Sequence, residues 1–360
     1  MLRPGRAVTS RSRSPARRPT GCGGTWSTSW PRHRGGSPSP PPDPGDGDTP
    51  REPRPHLALV GPTAVGKSAV ALDLAEALGD VELVSVDSMQ VYRGMDVGTA
   101  KASAAERARV PHHLLDLADP AEEWSVARFQ REARAAIADI EARGRRALLV
   151  GGTGLYVRAV IDDLRFAGED PVGRAALTAE AAEPGGPARL HARLAAVDPV
   201  AASRIEPGNV RRTVRALEVV GLTGAPFSAS GSGLRTFAPP IVPVRMFGLW
   251  LPSAVLDARI GARVDTMYAD GLLAEAAALV RPGRPPLSAT AGQAIGYREA
   301  LAVLDGTAPD VDAARAATVR RTRRFARRQI RWFRRDPRVT WWGSPANPRA
   351  CTPALLECCR

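Results

Sequence analysis

The chain of 360 residues is long enough for about two domains, and its 44% hydrophobic residues suit a folded core. Its net charge of +13 favours solubility or an anionic partner, whereas its four cysteines lie near the two ends without zinc-site spacing and indicate no disulfide framework. No apolar run approaches the ~18 residues of a membrane span, so we expect a cytoplasmic protein without membrane contacts.

Residues 1–55 hold ten arginines and twelve prolines and show almost no periodic apolar pattern. This composition predicts a disordered, basic Pro/Arg-rich tail. The Arg- and Ser-rich start resembles a transit peptide, but the prolines argue against the amphipathic helix that such peptides form. A tail that attracts nucleic acid is a second interpretation, and a start codon placed too far upstream is the one we favour.

A phosphate-binding loop is predicted at residues 61–68, where G-x-x-x-x-G-K-S separates a strand-like apolar run, residues 57–60, from a helical pattern. Backbone N–H groups and the helix dipole would attract an anion, Lys67 would reach its terminal phosphate, and the Ser68 hydroxyl would bind Mg²⁺. A glycine-rich turn without a ligand is the alternative. The predicted diphosphate- or nucleotide-binding residues are Gly61, Pro62, Thr63, Ala64, Val65, Gly66, Lys67 and Ser68.

Lysine is rare in this chain, which uses arginine at all but two of its 50 basic positions. The two lysines are Lys67 and Lys101. A lysine in the predicted loop therefore indicates that a compact ammonium is needed there and that a guanidinium fork would not fit.

From His56 onward strand and helix patterns alternate, which predicts an α/β fold with a parallel sheet flanked by helices, as in P-loop NTPases. The second strand, residues 81–86, ends at Asp87, and ligands of such sheets bind beyond the carboxyl ends of the strands. Asp87 should therefore lie beside the P-loop, where a carboxylate can act as a general base or support a metal. A helix-capping or turn aspartate is the alternative.

The third strand, residues 146–150, runs into Gly151-Gly-Thr153, where a Walker B strand would end in an acidic residue. The missing acid argues against a motor-type ATPase. The turn offers backbone and hydroxyl donors to an oxygen-rich ligand, although glycines at a strand end are often only a turn. His112 and His113 make a poor metal pair, because neighbouring residues of a strand point to opposite faces.

Further short motifs follow one another along the chain. They are GPTAxGKS at 61–68, SVDSxQxY at 85–92, GMDxGTAK at 94–101, PHHL at 111–114, GGTGLY at 151–156, RRTVRALE at 211–218, QAIGYRE at 293–299 and TRRFARRQ at 322–329. Together and in this order they resemble the tRNA dimethylallyltransferase (isopentenyltransferase) family, over about residues 56–345.

The resemblance implies transfer of a dimethylallyl group from dimethylallyl diphosphate to N6 of the adenosine just 3′ of the anticodon, with Mg²⁺ as cofactor. The P-loop would then hold a diphosphate, Asp87 would take the proton from N6, and Thr153 and Arg259 would contact the leaving diphosphate. The implied partner of the enzyme, which we expect to be a monomer, is the anticodon stem-loop of tRNA. The implied tRNA-binding residues are Asp87, Ser88, Met89, Gln90, Arg211, Arg212, Arg215, Gln293, Gly296, Tyr297 and Arg298.

Breaks in the alternating pattern predict the domain boundaries. Residues 165–204 contain Gly and Pro breaks and a short helical face, which predicts a small helical insertion domain. The resemblance implies that this insertion contacts tRNA. Residues 56–164 and 205–345 would form the discontinuous P-loop domain, and residues 346–360 a C-terminal tail.

Two predicted helices carry clusters of arginine. Arg211, Arg212 and Arg215 lie on the first, where a solvated charged face is the alternative to an RNA contact. The second, about residues 313–335, belongs to a segment with ten arginines between positions 320 and 338 and one acid, Asp336. This density predicts a surface for RNA phosphates, with binding that weakens steeply as salt increases.

Two other functions remain open at the level of sequence. A P-loop kinase of small metabolites also places an Asp after its second strand, but it needs no basic C-terminal helix. A non-catalytic RNA-binding P-loop protein would not need Asp87. Incubation with bulk tRNA and either labelled dimethylallyl diphosphate or labelled ATP would distinguish these functions by which label reaches the RNA.

Overall fold

The computed structural model describes residues 54–229, 236–344 and 346–360. The predicted basic tail, residues 1–55, lies outside the described residues apart from its last two positions. Within the described ranges, no helix is long and apolar enough to cross a membrane.

Six strands form one sheet in which all neighbouring strands are parallel, as the alternating pattern predicted. In chain order they are β1 His56–Val60, β2 Val81–Val86, β3 His112–His113, β4 Arg146–Gly151, β5 Val244–Trp250 and β6 Val339–Gly343. Their spatial order is β3-β2-β4-β1-β5-β6, so β1 and β4 lie side by side at the centre. The loops that leave β1, β2 and β4 therefore emerge at the same edge of the sheet.

Both faces of this sheet are covered, which explains why its strands are nearly continuous apolar runs. Ala58 and Leu149 belong to one apolar core, whereas Leu57 and Leu148 belong to a second core. Successive side chains of a strand point to opposite faces, so each strand contributes to both cores. The result is a helix–sheet–helix sandwich.

The described residues also form α-helices. They are α1 Lys67–Leu78, α2 Ala104–Arg109, α3 Val126–Ala142, α4 Gly154–Ile161, α5 Pro171–Ala182, α6 Gly186–Val197, α7 Pro199–Ala202, α8 Val210–Thr223, α9 Ser253–Ala269, α10 Leu272–Leu279, α11 Tyr297–Leu304, α12 Val311–Phe333 and α13 Thr352–Cys359.

Helices α5 to α8 form a cluster with an apolar core of its own. Leu190 and Leu194 of α6 belong to this core together with Val214 and Leu217 of α8. The helical cluster therefore extends beyond residue 204, where the sequence had placed its end. The reason is that the apolar stripe of α8 packs on α5 and α6.

The segment 346–360 is also different from the predicted tail. Its helix α13 packs on α1. Leu355 of α13 is fully buried in the second apolar core. Arg349, just before α13, pairs with Asp73 of α1 at 2.9 Å between Nε and Oδ2. The end of the chain is thus part of the second apolar core.

Candidate active site

The P-loop connects β1 to α1 in a conformation that requires positive φ at several residues. Gly61 has φ 147°, Gly66 has φ 101°, and Ala64, which is not a glycine, has φ 63°. A Cβ at Gly61 would lie 2.7 Å from the carbonyl oxygen of Leu249 in β5, so this glycine also permits a close backbone approach. Because α1 begins at Lys67, the loop places its amides at a helix N-terminus, where anions bind.

Lys67 folds back over this loop. Its Nζ donates hydrogen bonds to the carbonyl oxygens of Gly61 at 3.0 Å and Pro62 at 2.8 Å. Burial, followed by the charge of Arg263, lowers the pKa of Lys67 to about 7, and the charge of Asp87 opposes this shift. The amine is therefore near its titration midpoint at neutral pH, and an anion bound in the loop would favour its charged form.

Asp87 follows β2 at the same edge of the sheet as the P-loop. Its Oδ1 accepts a hydrogen bond from the Met89 N–H at 2.8 Å, as in a turn that an aspartate stabilises. Its charge also counteracts the lowering of the pKa values of Lys67 and Arg263. The carboxylate thus serves a turn and lies within the electrostatic reach of the P-loop lysine.

Two arginines one helical turn apart on α9 approach the P-loop. The Nε of Arg259 donates a hydrogen bond to the carbonyl oxygen of Ala64 at 3.0 Å. Arg263 reaches the hydroxyl of Thr63 at 3.4 Å, and burial lowers the pKa of its guanidinium. Arg263 was not among the site residues predicted from the sequence, although the spacing of four residues from Arg259 places both side chains on one helix face.

The turn after β4 is covered by α12. The carbonyl oxygen of Gly152 accepts a hydrogen bond from Nε2 of Gln329 at 3.0 Å, and Oε1 of the same side chain accepts one from the Thr63 N–H at 2.8 Å. Thr153 is the N-cap residue of α4, but its hydroxyl does not cap the helix. The turn therefore lies beside the P-loop with a threonine hydroxyl that helix capping does not use.

The oxygen donors of the site fit a Mg²⁺ ion held largely by a diphosphate. Ser68 is exposed in the first turn of α1, where its hydroxyl can bind a cation. In the described parts of the chain, no group of three or more His, Cys, Asp or Glu residues could hold a metal ion. Mg²⁺ commonly takes one or two protein oxygens together with substrate phosphates and waters, so one hydroxyl beside the P-loop is compatible with it.

Three predicted tRNA-binding residues follow β2. Gln90 accepts a hydrogen bond from the hydroxyl of Ser85 at 2.7 Å and donates one to the carbonyl oxygen of Thr99 at 3.2 Å. Its side chain therefore ties the strand end to the following loop. Ser88 and Met89 are half-buried beside it. Contact of these residues with tRNA stays a prediction.

The residues predicted at 293–298 have different surroundings. Tyr297 is fully buried, and its hydroxyl donates a hydrogen bond to Glu275, so its ring is part of the core. Gln293 and Arg298 are exposed and hydrogen-bonded to each other at 3.2 Å. Gly296 has φ 95° at the start of α11. Of this group, the exposed pair offers side chains that a ligand could reach.

The three arginines of α8 also separate. Arg211 and Arg212 are exposed in the first turn of the helix. Arg215 instead pairs with the buried Glu218 at 2.8 Å between Nη1 and Oε2. Burial raises the pKa of Tyr156, and the charge of Arg211 opposes that shift. Arg211 is therefore within electrostatic reach of α4, the helix that follows the glycine turn.

The arginines of α12 fall into two groups. Arg321 pairs with the buried Glu299, and both Arg323 and Arg327 pair with Asp257. The second group is exposed and shares one face of the helix and its C-terminal end, and no ion pair with an acidic side chain is found for it within the described residues. We call it the exposed arginine stripe, and its members are Arg320, Arg324, Arg328, Arg331, Arg334 and Arg335.

The two adjacent histidines make separate hydrogen bonds. Nε2 of His113 lies 2.7 Å from Oε2 of Glu82, and Nδ1 of His112 lies 2.7 Å from the carbonyl oxygen of Val110. The two imidazole rings therefore have different hydrogen-bond partners.

Fold and site together define a class of protein. It is a P-loop α/β protein in which Asp87, and no Walker B acid after β4, provides a carboxylate beside the anion-binding loop. Such an arrangement suits chemistry in which a phosphate-containing group is bound and its charge is stabilised.

Comparison with known proteins gives the family. The model of the IPP transferase family matches residues 90–336. The tRNA dimethylallyltransferase of Salinispora arenicola is 55% identical over 291 residues, which cover 81% of this chain and 83% of that protein. The same enzyme of Kineococcus radiotolerans is 55% identical over 314 residues, which cover 84% and 96%. The chain belongs to this family of tRNA dimethylallyltransferases.

Solved structures agree with this assignment. The tRNA isopentenylpyrophosphate transferase of Bacillus halodurans has a TM-score of 0.60 and 41% identity, over 84% of this chain and 95% of that one. A eukaryotic dimethylallyltransferase that acts on tRNA has a TM-score of 0.68 and 25% identity, over 85% and 77%.

Proposed function

We propose that this protein transfers a dimethylallyl group from dimethylallyl diphosphate to N6 of the adenosine 3′ of the anticodon in tRNA, releasing diphosphate. Family membership supports prenyl transfer to tRNA as the reaction. The proposal includes a monomeric, cytoplasmic enzyme.

The chemistry needs one base and several positive or hydrogen-bonding groups. The nitrogen lone pair of N6 attacks the first carbon of the dimethylallyl group, the bond from that carbon to the diphosphate oxygen breaks, and the N6 proton leaves. Asp87 is the carboxylate beside the P-loop that can accept this proton. The adenine must leave its stack before N6 can reach the allylic carbon.

The leaving diphosphate gains charge as the bond breaks. Lys67, Arg259 and Arg263 surround the P-loop and can stabilise that charge, with the hydroxyl of Thr153 as a further donor. Ser68 would hold Mg²⁺, which when bound supplies additional positive charge to the diphosphate oxygens. The site therefore carries its positive groups where the leaving group, and not the adenine, would lie.

The exposed arginine stripe supports tRNA as the second substrate. Its six guanidinium groups lie on one face of α12 and at its C-terminal end, and no ion pair with an acidic side chain neutralises them among the described residues. Such a surface attracts RNA phosphates without reading the base sequence. Arg211 and Arg212 of α8 offer further exposed charge.

The observation that carries the proposal is the position of Asp87 beside the P-loop in a chain of this family. The test incubates the protein with bulk tRNA and either dimethylallyl diphosphate labelled in its carbon chain or ATP labelled in its γ-phosphate. We expect carbon label in RNA and recovery of a prenylated adenosine after digestion. A tRNA with guanosine 3′ of the anticodon is the control. Absence of carbon label from RNA, or transfer of phosphate label to a small metabolite, would contradict the proposal.

A further inference from the structure

We infer that Gln329 is a positioning residue, which sets the spacing between the P-loop and the turn that carries Thr153. The inference rests on the proposed function and concerns the same site. Gln329 lies on α12, is 5% exposed, and is not a residue of either loop. Its side-chain amide is hydrogen-bonded to the backbone of both loops.

Two hydrogen bonds from one amide group join the loops. Oε1 of Gln329 accepts from the Thr63 N–H at 2.8 Å, and Nε2 donates to the carbonyl oxygen of Gly152 at 3.0 Å. The loops leave neighbouring strands, since Val60 of β1 pairs with Gly151 of β4. Their separation close to the sheet is fixed by this pairing, and the glutamine extends the constraint to the loop residues beyond it.

The glycines of the turn explain how α12 comes so close. A Cβ at Gly152 would lie 2.1 Å from Nε2 of Gln329, and a Cβ at Gly154 would lie 2.0 Å from Cδ1 of Trp332. A side chain at Gly152 would displace the amide of Gln329, and a side chain at Gly154 would displace the ring of Trp332. The Gly-Gly-Thr-Gly sequence thus permits close packing of α12 on the turn. From the sequence alone we expected this turn to offer backbone and hydroxyl donors to a ligand.

The amide is suited to this place because it offers one donor and one acceptor. The Thr63 N–H needs an acceptor and the Gly152 carbonyl needs a donor, and both groups are next to buried structure where an unmade bond is costly. The contact also directs the Thr63 N–H toward α12. The anion-binding amides of the loop are then those of the residues after Thr63.

The consequence for catalysis is geometric. The P-loop side of the contact holds the diphosphate, and the other side holds Thr153, which is expected to contact the same leaving group. A shift of one loop against the other would misplace the threonine hydroxyl without removing any catalytic group. Misplacement of about 1 Å at a reacting centre can reduce a rate by about 10²-fold.

Two variants separate the two hydrogen bonds. Gln329→Glu keeps an acceptor for the Thr63 N–H but places a carboxylate oxygen against the Gly152 carbonyl. We expect its single-turnover rate to fall about 10- to 100-fold with affinity for inorganic diphosphate and KM for tRNA nearly unchanged. Gln329→Met loses both bonds, and we expect its rate and its diphosphate affinity to fall together.

The matched control is Gln130→Glu. Gln130 also lies on a helix and donates through Nε2 to two backbone carbonyl oxygens, those of Ala159 at 2.7 Å and Leu164 at 2.9 Å, and neither acceptor belongs to the P-loop or to the glycine turn. We expect this variant to lose thermal stability and to keep the wild-type rate. The comparison separates the loss of an amide that bonds to backbone carbonyl oxygens from the loss of loop spacing.

The outcomes are decisive in either direction. A wild-type rate in Gln329→Glu, or an equal loss of rate in Gln130→Glu at matched stability, would overturn the inference. If Gln329→Glu does not fold, Gln329→Met decides, and a normal rate with normal diphosphate affinity overturns the inference. Failure of the wild-type protein to label tRNA would instead remove the proposed function, while diphosphate affinity of Gln329→Met would still test the contact with the P-loop.

Discussion

Replacement of Asp87 by Asn tests the assignment of the general base. The Oδ1 of Asp87 accepts one hydrogen bond, from the Met89 N–H at 2.8 Å, and the Oδ1 of asparagine can accept the same bond. The turn should therefore survive, with a change in the free energy of unfolding within about 1 kcal/mol. What the variant loses is a negative charge and the proposed proton acceptor.

Two effects of different size are expected. Loss of general-base catalysis should reduce the single-turnover rate by about 10²–10⁴-fold. A smaller effect follows from Lys67, whose pKa of about 7 is already lowered by burial and Arg263 and is raised by Asp87. Without Asp87 the pKa of Lys67 falls further, so less of the amine is protonated at neutral pH and diphosphate binds less tightly.

The assay measures single-turnover transfer with saturating dimethylallyl diphosphate, diphosphate affinity and melting temperature, each at pH 6 and pH 8. We expect the affinity of Asp87→Asn to recover at pH 6, where Lys67 regains its proton, and the rate to stay low. If Asp87 supported a metal, rate and affinity would fall together and excess Mg²⁺ would partly restore both. If it only stabilised a turn, the melting temperature would fall with a near-normal rate.

The refuting result is a rate. A near-wild-type single-turnover rate at saturating substrate, with the fold intact, is incompatible with Asp87 as the base. A low rate that recovers together with affinity at pH 6 would refute the same assignment, because protonation of Lys67 cannot replace a missing base.

The remaining predictions concern charge and packing. Because binding of an anion favours protonated Lys67, affinity for dimethylallyl diphosphate should fall by up to about tenfold per pH unit above pH 7. The variant Lys67→Met should lack this pH dependence. A wild-type affinity that does not change from pH 6 to pH 9 would contradict the prediction. The double variant Arg324→Glu with Arg331→Glu should bind tRNA more weakly and with a smaller salt dependence, while its diphosphate affinity stays unchanged. Unchanged tRNA affinity at low salt would mean that the exposed arginine stripe does not bind tRNA. Arg321→Glu should instead lower the melting temperature, because this arginine faces a buried carboxylate. Leu355→Ala should lower the free energy of unfolding by about 2–5 kcal/mol in denaturant titrations, and a loss of about 0.5 kcal/mol or less, as at a surface position, would mean that α13 is not docked.

The parts of the site that follow strands could be predicted from the sequence. The P-loop motif and the aspartate after β2 are local patterns, and in a parallel sheet the carboxyl ends of the strands meet at one edge. Asp87 and Thr153 therefore had to lie near the P-loop once the strands were identified. Their roles did not follow from position alone and came from the family resemblance.

The use of lysine was informative for a physical reason. Nζ of Lys101, with a side chain that is 1% exposed, donates to the carbonyl oxygen of Tyr92 at 2.7 Å, to Oδ1 of Asp96 at 2.5 Å and to Oδ1 of Asp116 at 2.7 Å. Three acceptors that converge on one point suit an ammonium and not a planar guanidinium. Both lysines of an otherwise arginine-using chain thus bind several oxygens at one point.

The division of the arginines could not be predicted. Positions 321 and 324 look equivalent in the sequence, and the density of arginines predicts an RNA surface for both. Arg321 differs from Arg324 because it forms an ion pair with the buried Glu299 of α11. Periodicity identifies the face of a helix, but the partner on another helix is a tertiary fact. The same holds for Arg215, which the structure pairs with Glu218.

The P-loop itself depends on residues that are distant in sequence. Its Thr63 N–H is held by Gln329, 266 residues away, and its Ala64 carbonyl by Arg259, 195 residues away. Ala64 adopts φ 63°, which costs a non-glycine residue about 1–2 kcal/mol. Such a conformation persists when surrounding contacts determine it, and here those contacts come from α9 and α12. The motif identifies the loop, but its binding conformation requires the complete domain, so fragments that contain β1 and α1 alone should not bind diphosphate in the same way.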